Sequence, residues 1–502
     1  MTRWLRPALP LACVVALAAA LRLDALRFGL PYLQARPDEI TAVGHADAIL
    51  RGDLNPHFFN WPSLALYTFA AVFGLARSVG VALTVARQIL LARAVVAMSG
   101  TLTVLATAAI GRRLAGRDVG LVAALFLAVA ALHVRDSHFA TTDVLMTLLV
   151  TVSLALAMRA RETGRQSLFA AAGAAGGLAA STKYSAGAIL AVTAAAPTIA
   201  AAGVFVCAWA AGFLAGTPFA LLDVTTFLGD VSYERAHLDS GHAVLLGRGW
   251  IYHLVTTLPH GLGVVLCLAA AAGIPVIAMR QRRAALVPAL FALAFYATIG
   301  TGRTVFFRYA LPLVPLACVS AAVAVRAAAG WVSARTRVSP SAIAAALTVA
   351  IAAPSLYQSM QLDRILARED SRVVAAAWLA PRLRADQRVH DSGGDYTRLE
   401  LGAAAFHDWR YDPAARSFGD PAGATPDWII LYESPLPEYT AAPAPLLELV
   451  RDRYTLANRV DGIPASPAGH VYDRQDAFFL PIDGFTGIAR PGPTVLIYQR
   501  LK

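Results

Sequence analysis

Eleven long apolar runs, most of them joined by short connectors, constrain this chain more than any other feature. They lie at about 7–23, 90–111, 118–134, 144–158, 167–182, 184–197, 198–216, 250–279, 284–300, 309–328 and 341–357. A helix crosses a bilayer with about 17–25 apolar residues, somewhat fewer inside a bundle. The 502 residues are 57% hydrophobic and 15% charged. Soluble domains average about 45–50% apolar and about 25% charged. The chain therefore reads as a polytopic α-helical membrane protein of about eleven spans with added interfacial helices.

The formal charge of +11 would point to nucleic acid in a soluble protein. Here the basic residues gather in short loops: Arg112-Arg113 to Arg117, Arg159 to Arg165, Arg280 to Arg283, and Arg335 to Arg337. Such loops mark the cytoplasmic side, so nucleic acid is excluded as a partner. Placing all four inside with the N-terminus puts the C-terminus outside. Arg3 and Arg6 before the first run resemble a signal peptide without a convincing cleavage site, which reads as an uncleaved first span. Residues 62–83 resist this count. Arg77 sits mid-run, where a charge is costly in lipid, so the segment is read as an interfacial or re-entrant helix. No Asn-x-Ser/Thr sequon occurs, which fits a bacterial inner membrane protein.

The four cysteines (Cys13, Cys207, Cys267 and Cys318) lie in apolar segments and form neither a disulfide framework nor a zinc spacing. Composition changes after about 358. Alternating charge, many prolines and the runs Trp428 to Tyr432 and Thr494 to Tyr498 indicate a soluble α/β domain. Residues 371–385 read as an amphipathic helix that Pro381 ends early. The expected division is a membrane domain at 1–358 and an extracytoplasmic α/β domain at 359–502.

Polar residues that interrupt this pattern are the candidates for chemistry. Asp38-Glu39 follows Arg36-Pro37 after the first span; it reads as acid chemistry, or as an ordinary helix first turn. His57-Phe58-Phe59-Asn60-Trp61-Pro62 is an aromatic stretch suited to headgroup depth. The connector 133–143 packs His133, Arg135, Asp136, His138 and Asp143 between two apolar helices. Thr141 or Thr142 as a helix cap would explain Asp143 alone. Lys183-Tyr184 breaks a Gly/Ala-rich region, as a snorkelling lysine or as a cation for a lipid phosphate. Arg303 and Arg308-Tyr309 fall in an outer loop, against the charge trend, and arginine suits phosphate. His237 and His242 in the 217–249 loop are candidate metal ligands or plain surface. A divalent metal is left open, and no other cofactor is indicated. No phosphate-binding glycine loop occurs, and no Ser/His/Asp spacing supports a triad.

The order of several short elements resembles a known class. It comprises the acid pair after the first span, the aromatic-Pro segment, and Gly111-Arg112-Arg113-Leu114-Ala115-Gly116. The loop ending in Asp143 follows, then Thr182-Lys183-Tyr184, Thr217-Pro218-Phe219, and Arg308-Tyr309 before Leu311-Pro312. Over about residues 1–360 this resembles the GT-C class membrane glycosyltransferases, nearest the protein O-mannosyltransferases and lipid A aminoarabinose transferases. The resemblance implies a polyprenyl-phosphate-linked sugar donor and transfer on the extracytoplasmic face. Asp38 falls at the first-loop catalytic acid, Glu39 completes an Asp-Glu pair, and Asp143 matches the acid of the second outer loop. The aminoarabinose transferases carry a lysine where Trp61 stands here.

The expected roles follow. Asp38 is the base and Glu39 its support. Asp143 positions acceptor or metal, and Lys183 and Arg308 hold the lipid phosphate. Asp136, His138, Tyr184, Arg303, Tyr309 and Trp61 line substrate. The acceptor is a hydroxyl on a glycan, lipid or protein. Two rival classes remain at this stage: a transporter or flippase of lipid-linked glycans, and a non-catalytic assembly or sensor protein.

Overall fold

The computed structural model describes residues 9–418, 424–464 and 469–501. Arg3 and Arg6 lie outside the described residues. The chain forms two compact units: Met1–Asp24 with Thr41–Met360, and Ala25–Ile40 with Gln361–Lys502. The segment 25–40, expected with the membrane domain, therefore groups with the C-terminal residues.

The first unit is helical. Six helices among the described residues are long and apolar enough to cross a membrane: Val85–Ala115, Asp143–Thr163, Ile199–Gly216, Arg282–Thr301, Phe307–Ser333 and Pro340–Arg382. Gly249–Leu262 and Val264–Arg280 form a further candidate, bent by 118°. Length and composition thus give six spans, or seven with the bent pair, against the eleven expected from apolar runs. The runs 7–23 and 167–182 hold described helices of only 15 residues, 118–134 one of 13, and 184–197 a 3-10 helix.

The run 250–279 is bent at a break after Leu262. Gly263 takes a φ of +81°, a conformation open to glycine and costly for residues with a Cβ. Carbonyls freed by the break find donors on a neighbouring helix: Ser355 Oγ donates to Leu262 O at 2.6 Å and Gln358 Nε2 to His260 O at 3.1 Å. Non-helical backbone at membrane depth requires such partners. The run 184–197 is a 3-10 helix over Tyr184–Ala195. At about 2.0 Å per residue its 12 residues reach about 24 Å, where an α-helix would reach about 18 Å. The segment 62–83 holds a helix of only 15 residues, Leu64–Ser78. Arg77 lies in its last turn and is exposed, not central as the sequence implied.

Glycine sets one contact that matters for the site. Gln166–Ala180 packs on Ile199–Gly216, and a Cβ at Gly173 would come within 2.2 Å of Phe205 O, one at Gly177 within 2.0 Å of Trp209 O. Small residues four apart let two helix backbones approach this closely. Beyond the contact, Ser181 and Thr217 share a 2.7 Å hydroxyl hydrogen bond. This fixes the C-terminal end of Gln166–Ala180, from which Lys183 emerges.

The second unit is built on a mixed five-stranded sheet. Its strands are β1 (Arg388–Asp391), β2 (His407–Asp408), β3 (Trp428–Glu433), β4 (Tyr454–Val460) and β5 (Thr494–Arg500), in the order β2-β1-β3-β5-β4. β1 runs parallel to β2 and β3; β5 runs antiparallel to β3 and β4. Ile430 and Ile497 are paired across the central ladder and fully buried. The helix Ser371–Leu379 covers one face with Ala375 and Leu379 and gives way at Pro381 to a 3-10 turn. Leu446 and Val450 of Ala444–Arg453 join Ile429 and Leu431 in a second apolar cluster.

Candidate active site

Three breaks in regular helix converge in the first unit. Asp143 opens the helix Asp143–Thr163, Lys183 follows the glycine-packed helix, and Arg308 sits in the 3-10 turn Phe307–Leu313. Thr142 precedes Asp143 but makes no side-chain cap. The carboxylate itself lies at the positive end of the helix.

Lys183 Nζ stands 2.5 Å from Asp143 Oδ1, and Arg308 Nε 3.8 Å from Asp143 Oδ2. Each cation also lies over an aromatic ring: Lys183 Nζ is 4.4 Å from the centre of Tyr309, and the Arg308 guanidinium carbon 4.1 Å from that of Phe306. Two cations thus flank one acid. The Asp143 side chain is 2% exposed, against 19% for Lys183 and 11% for Arg308. The acid is therefore placed to hold the cations, and the cations retain accessible surface. Such a cluster is fitted to an anionic oxygen such as a phosphate.

Tyr184 points to a different structure. Its hydroxyl donates to Phe59 O at 2.7 Å, so it anchors the 55–61 segment. That segment is clasped along one face of the helix Val224–Ser240. Asn55 Nδ2 donates to Asp223 Oδ2 at 2.9 Å, Phe59 N to Asp230 Oδ2 at 2.6 Å, and Asn60 Nδ2 to Glu234 Oε1 at 3.1 Å. Phe227 packs its ring against Phe59 and Tyr184. Trp61 is half-buried, with its ring edge on Phe58 at 5.1 Å. Sequence reasoning gave Asp223, Asp230 and Glu234 no role. Their spacing of seven and four with Phe227 between them, one helix face, was the available signal. Phe306, beneath Arg308, was also missed.

The connector 133–143 differs from expectation. It begins as a helix, Ala131–Asp136, and the residues from 131 to 143 are all buried where a boundary loop was expected. Asp136 and His138 have no exposed surface. Arg135 Nη1 pairs with Asp136 at 3.3 Å; His138 spans the carbonyls of Val134 and Asp24, at 2.9 and 3.1 Å. The contact with Asp24 O ties the connector to the residue after the helix Leu9–Leu23, and the other two are local. Arg303 is exposed, with its backbone N–H donating to Leu238 O. His237 Nε2 and His242 Nδ1 are 3.1 Å apart, and the His242 ring stands against Phe306. Among the described residues no group of three or more His, Cys, Asp or Glu side chains is arranged to hold a metal.

In the second unit, Asp38 has a φ of +74°. A non-glycine residue there costs about 1–3 kcal/mol and persists only where its surroundings over-determine it. Asp is among the residues that tolerate it best. Glu39, fully buried, opens the helix Glu39–Leu50.

Comparison with known proteins supports one class. The family described as Dolichyl-phosphate-mannose-protein mannosyltransferase matches residues 68–206, a stretch that contains Asp143 and Lys183. ArnT from Cupriavidus metallidurans, in its apo state, is similar in structure with a TM-score of 0.55 at 16% identity, covering 99% of this chain and 98% of that one. The same protein bound to undecaprenyl phosphate gives a TM-score of 0.52 at 15% identity, over 99% and 98% of the two chains. The Archaeoglobus fulgidus oligosaccharyltransferase tethered with an acceptor peptide gives 0.53 at 14% identity over 81% of this chain, which spans 64% of that chain's length. No curated protein matches. The chain thus shares the fold of these solved membrane proteins, and residues 68–206 match the mannosyltransferase family model.

Proposed function

We propose that the chain transfers a sugar from a polyprenyl-phosphate donor to an acceptor hydroxyl on the extracytoplasmic face of the bacterial inner membrane, with inversion at the anomeric carbon. The eleven-span topology belongs to the same reading. The observation that carries it is Asp143 held between Lys183 and Arg308, a cationic cluster for a lipid phosphate. The undecaprenyl phosphate bound by ArnT is a ligand of that chemistry.

The donor already carries a good leaving group, because phosphate departs as a stable anion. The acceptor oxygen attacks the anomeric carbon and loses its proton to the Asp38 carboxylate, with Glu39 in support. A positioned base of this kind contributes about 10²–10⁴-fold. The bond from the anomeric carbon to the phosphate oxygen breaks, and its electron pair stays on the phosphate. Lys183 and Arg308 stabilise that charge in a low-dielectric setting. Asp143 keeps both cations in place, and Tyr309 holds Lys183 over its ring. In-line displacement inverts the anomeric configuration.

The test is chemical. Glycolipids and glycoproteins extracted from cells with and without the chain are compared by mass. The reading predicts loss of one sugar mass from an acceptor, together with accumulation of the lipid-linked donor. A transporter would instead leave every glycosidic bond class intact and shift only the sidedness of a lipid. Unchanged masses in both pools contradict transfer.

A further inference from the structure

The segment that carries the acid pair is built into the sheet unit by contacts at four positions. Phe28 packs edge-on against Phe478, with ring centres 6.1 Å apart. The Tyr32 ring lies 4.2 Å below the Arg372 guanidinium, which forms a two-pronged ion pair with Asp370 at 2.7 and 2.8 Å. Leu33 N donates to Glu400 Oε1 at 3.1 Å. Arg36 Nη1 meets Asp476 Oδ1 at 2.6 Å, with the two side chains 0% and 2% exposed. Arg36 also lies 5.6 Å over the Phe478 ring. The turn that supplies Asp476 is itself fastened, since Tyr439 Oη donates to Gln475 O at 2.8 Å.

Arg36 stands two residues before Asp38, with only Pro37 between them. Proline fixes its own φ and narrows the choices of the residue before it. A buried ion pair at Arg36, a proline, and a helix that starts at Glu39 leave Asp38 little freedom. That agrees with its left-handed backbone. Tyr396 adds an electrostatic sign of proximity: burial raises its phenol above the usual range, and the Asp38 charge raises it further.

We propose that Arg36 and Asp476 are a positioning pair through which the C-terminal sheet unit sets the placement of the Asp38–Glu39 acids. The soluble unit then has a part in the reaction whatever acceptor it meets. This inference rests on the assignment of Asp38 as base. Lys183, Arg308 and Asp143, the residues assigned to the lipid phosphate, belong to the other unit. Breaking the pair should therefore lower turnover without weakening donor binding.

The experiment uses the full chain in detergent, with undecaprenyl phosphate as the binding probe and a lipid extract of host membranes as the donor mixture. Varying the extract separates kcat from KM. In Asp476→Asn, kcat falls about 10–100-fold, the scale expected for misplacing a reacting group by about 1 Å. KM and undecaprenyl phosphate affinity stay within about twofold, and backbone hydrogen exchange rises in 33–40 but not in β3 and β5. Arg36→Lys, which keeps the charge, recovers part of the rate. The double variant Arg36→Met/Asp476→Leu removes the pair without stranding either charge. It folds and shows the same kcat loss.

The proposal is overturned if kcat stays within about twofold of wild type in these variants, if donor affinity falls in parallel, or if exchange rises throughout the sheet. Asp38→Asn serves as the separate control. Full turnover there strikes down the base assignment on which the inference stands. An inactive Asp38→Asn beside a fully active Asp476→Asn strikes down the positioning pair alone.

Discussion

Lys183 meets Asp143 at 2.5 Å and, with the same ammonium, caps the ring of Tyr309 at 4.4 Å. One side chain thus ties together the start of one helix, the end of another and the turn that carries Arg308. A carboxylate, a lysine and an arginine at positions 143, 183 and 308 become one cluster.

Lys183→Gln keeps a polar side chain and removes the charge. Hydrogen bonds to charged groups contribute about 1.5–3 kcal/mol, which corresponds to about 10–100-fold in affinity. Undecaprenyl phosphate binding to the purified chain is expected to weaken by about that factor. Affinity within about twofold of wild type would show that Lys183 does not meet the phosphate.

Tyr309 acts through its ring face. Tyr309→Phe retains the ring and should leave lipid-phosphate affinity nearly unchanged. Tyr309→Leu loses a cation–π contact of about 0.5–2 kcal/mol, and affinity should drop by up to about 30-fold. Equal affinities for the two variants would contradict the role given to the ring.

The clasp on the 55–61 segment depends on Asp230, which takes the Phe59 N–H at 2.6 Å. Asp230→Ala strands that donor, at a cost of about 1–3 kcal/mol. Limited proteolysis should cut this segment faster than in wild type, and the thermal midpoint should fall. Unchanged cleavage would mean that Tyr184 and the aromatic contacts hold the segment without the helix.

The sheet unit carries a pH signature. Asp391 accepts from Gly393 N at 2.8 Å, from Leu399 N at 2.9 Å and from the Tyr432 hydroxyl. Burial raises its carboxyl above the usual range, opposed by those hydrogen bonds and by Arg398. A raised folded value means that this group's contribution to stability is complete below the ordinary carboxylate value and is lost as pH rises through the raised one. Asp391→Asn removes that part of the slope. From acid to neutral pH, the stability of the variant relative to wild type should therefore rise. A relative stability that stays flat or falls with pH would refute it.

Much of this was legible along the chain. Asp143, Lys183 and Arg308 each stood out as a charge against an apolar background, where burial without a partner is expensive. What the sequence could not give was their pairing. It follows from how the glycine-lined face of Gln166–Ala180 lets a neighbouring helix approach, and backbone contact of that kind leaves no charge pattern. The break at Gly263 was hidden for a related reason: mean hydropathy runs straight through a glycine and registers neither its positive φ nor the hydroxyl that satisfies Leu262 O. The 133–143 connector was misjudged because polar residues were read as loop residues. Asp136 and His138 instead find their partners inside the bundle. The acidic face of Val224–Ser240 had a visible period, but only the fold shows that it receives Asn55, Phe59 and Asn60.

The most direct measurement is the turnover of Asp38→Asn with a polyprenyl-phosphate-linked donor, taken beside its affinity for undecaprenyl phosphate. Asparagine keeps the shape of the side chain and cannot take a proton from the acceptor. The account predicts wild-type lipid-phosphate affinity with turnover lower by about 10²–10⁴-fold. Undiminished turnover would contradict it and leave the acid pair without a part in the chemistry.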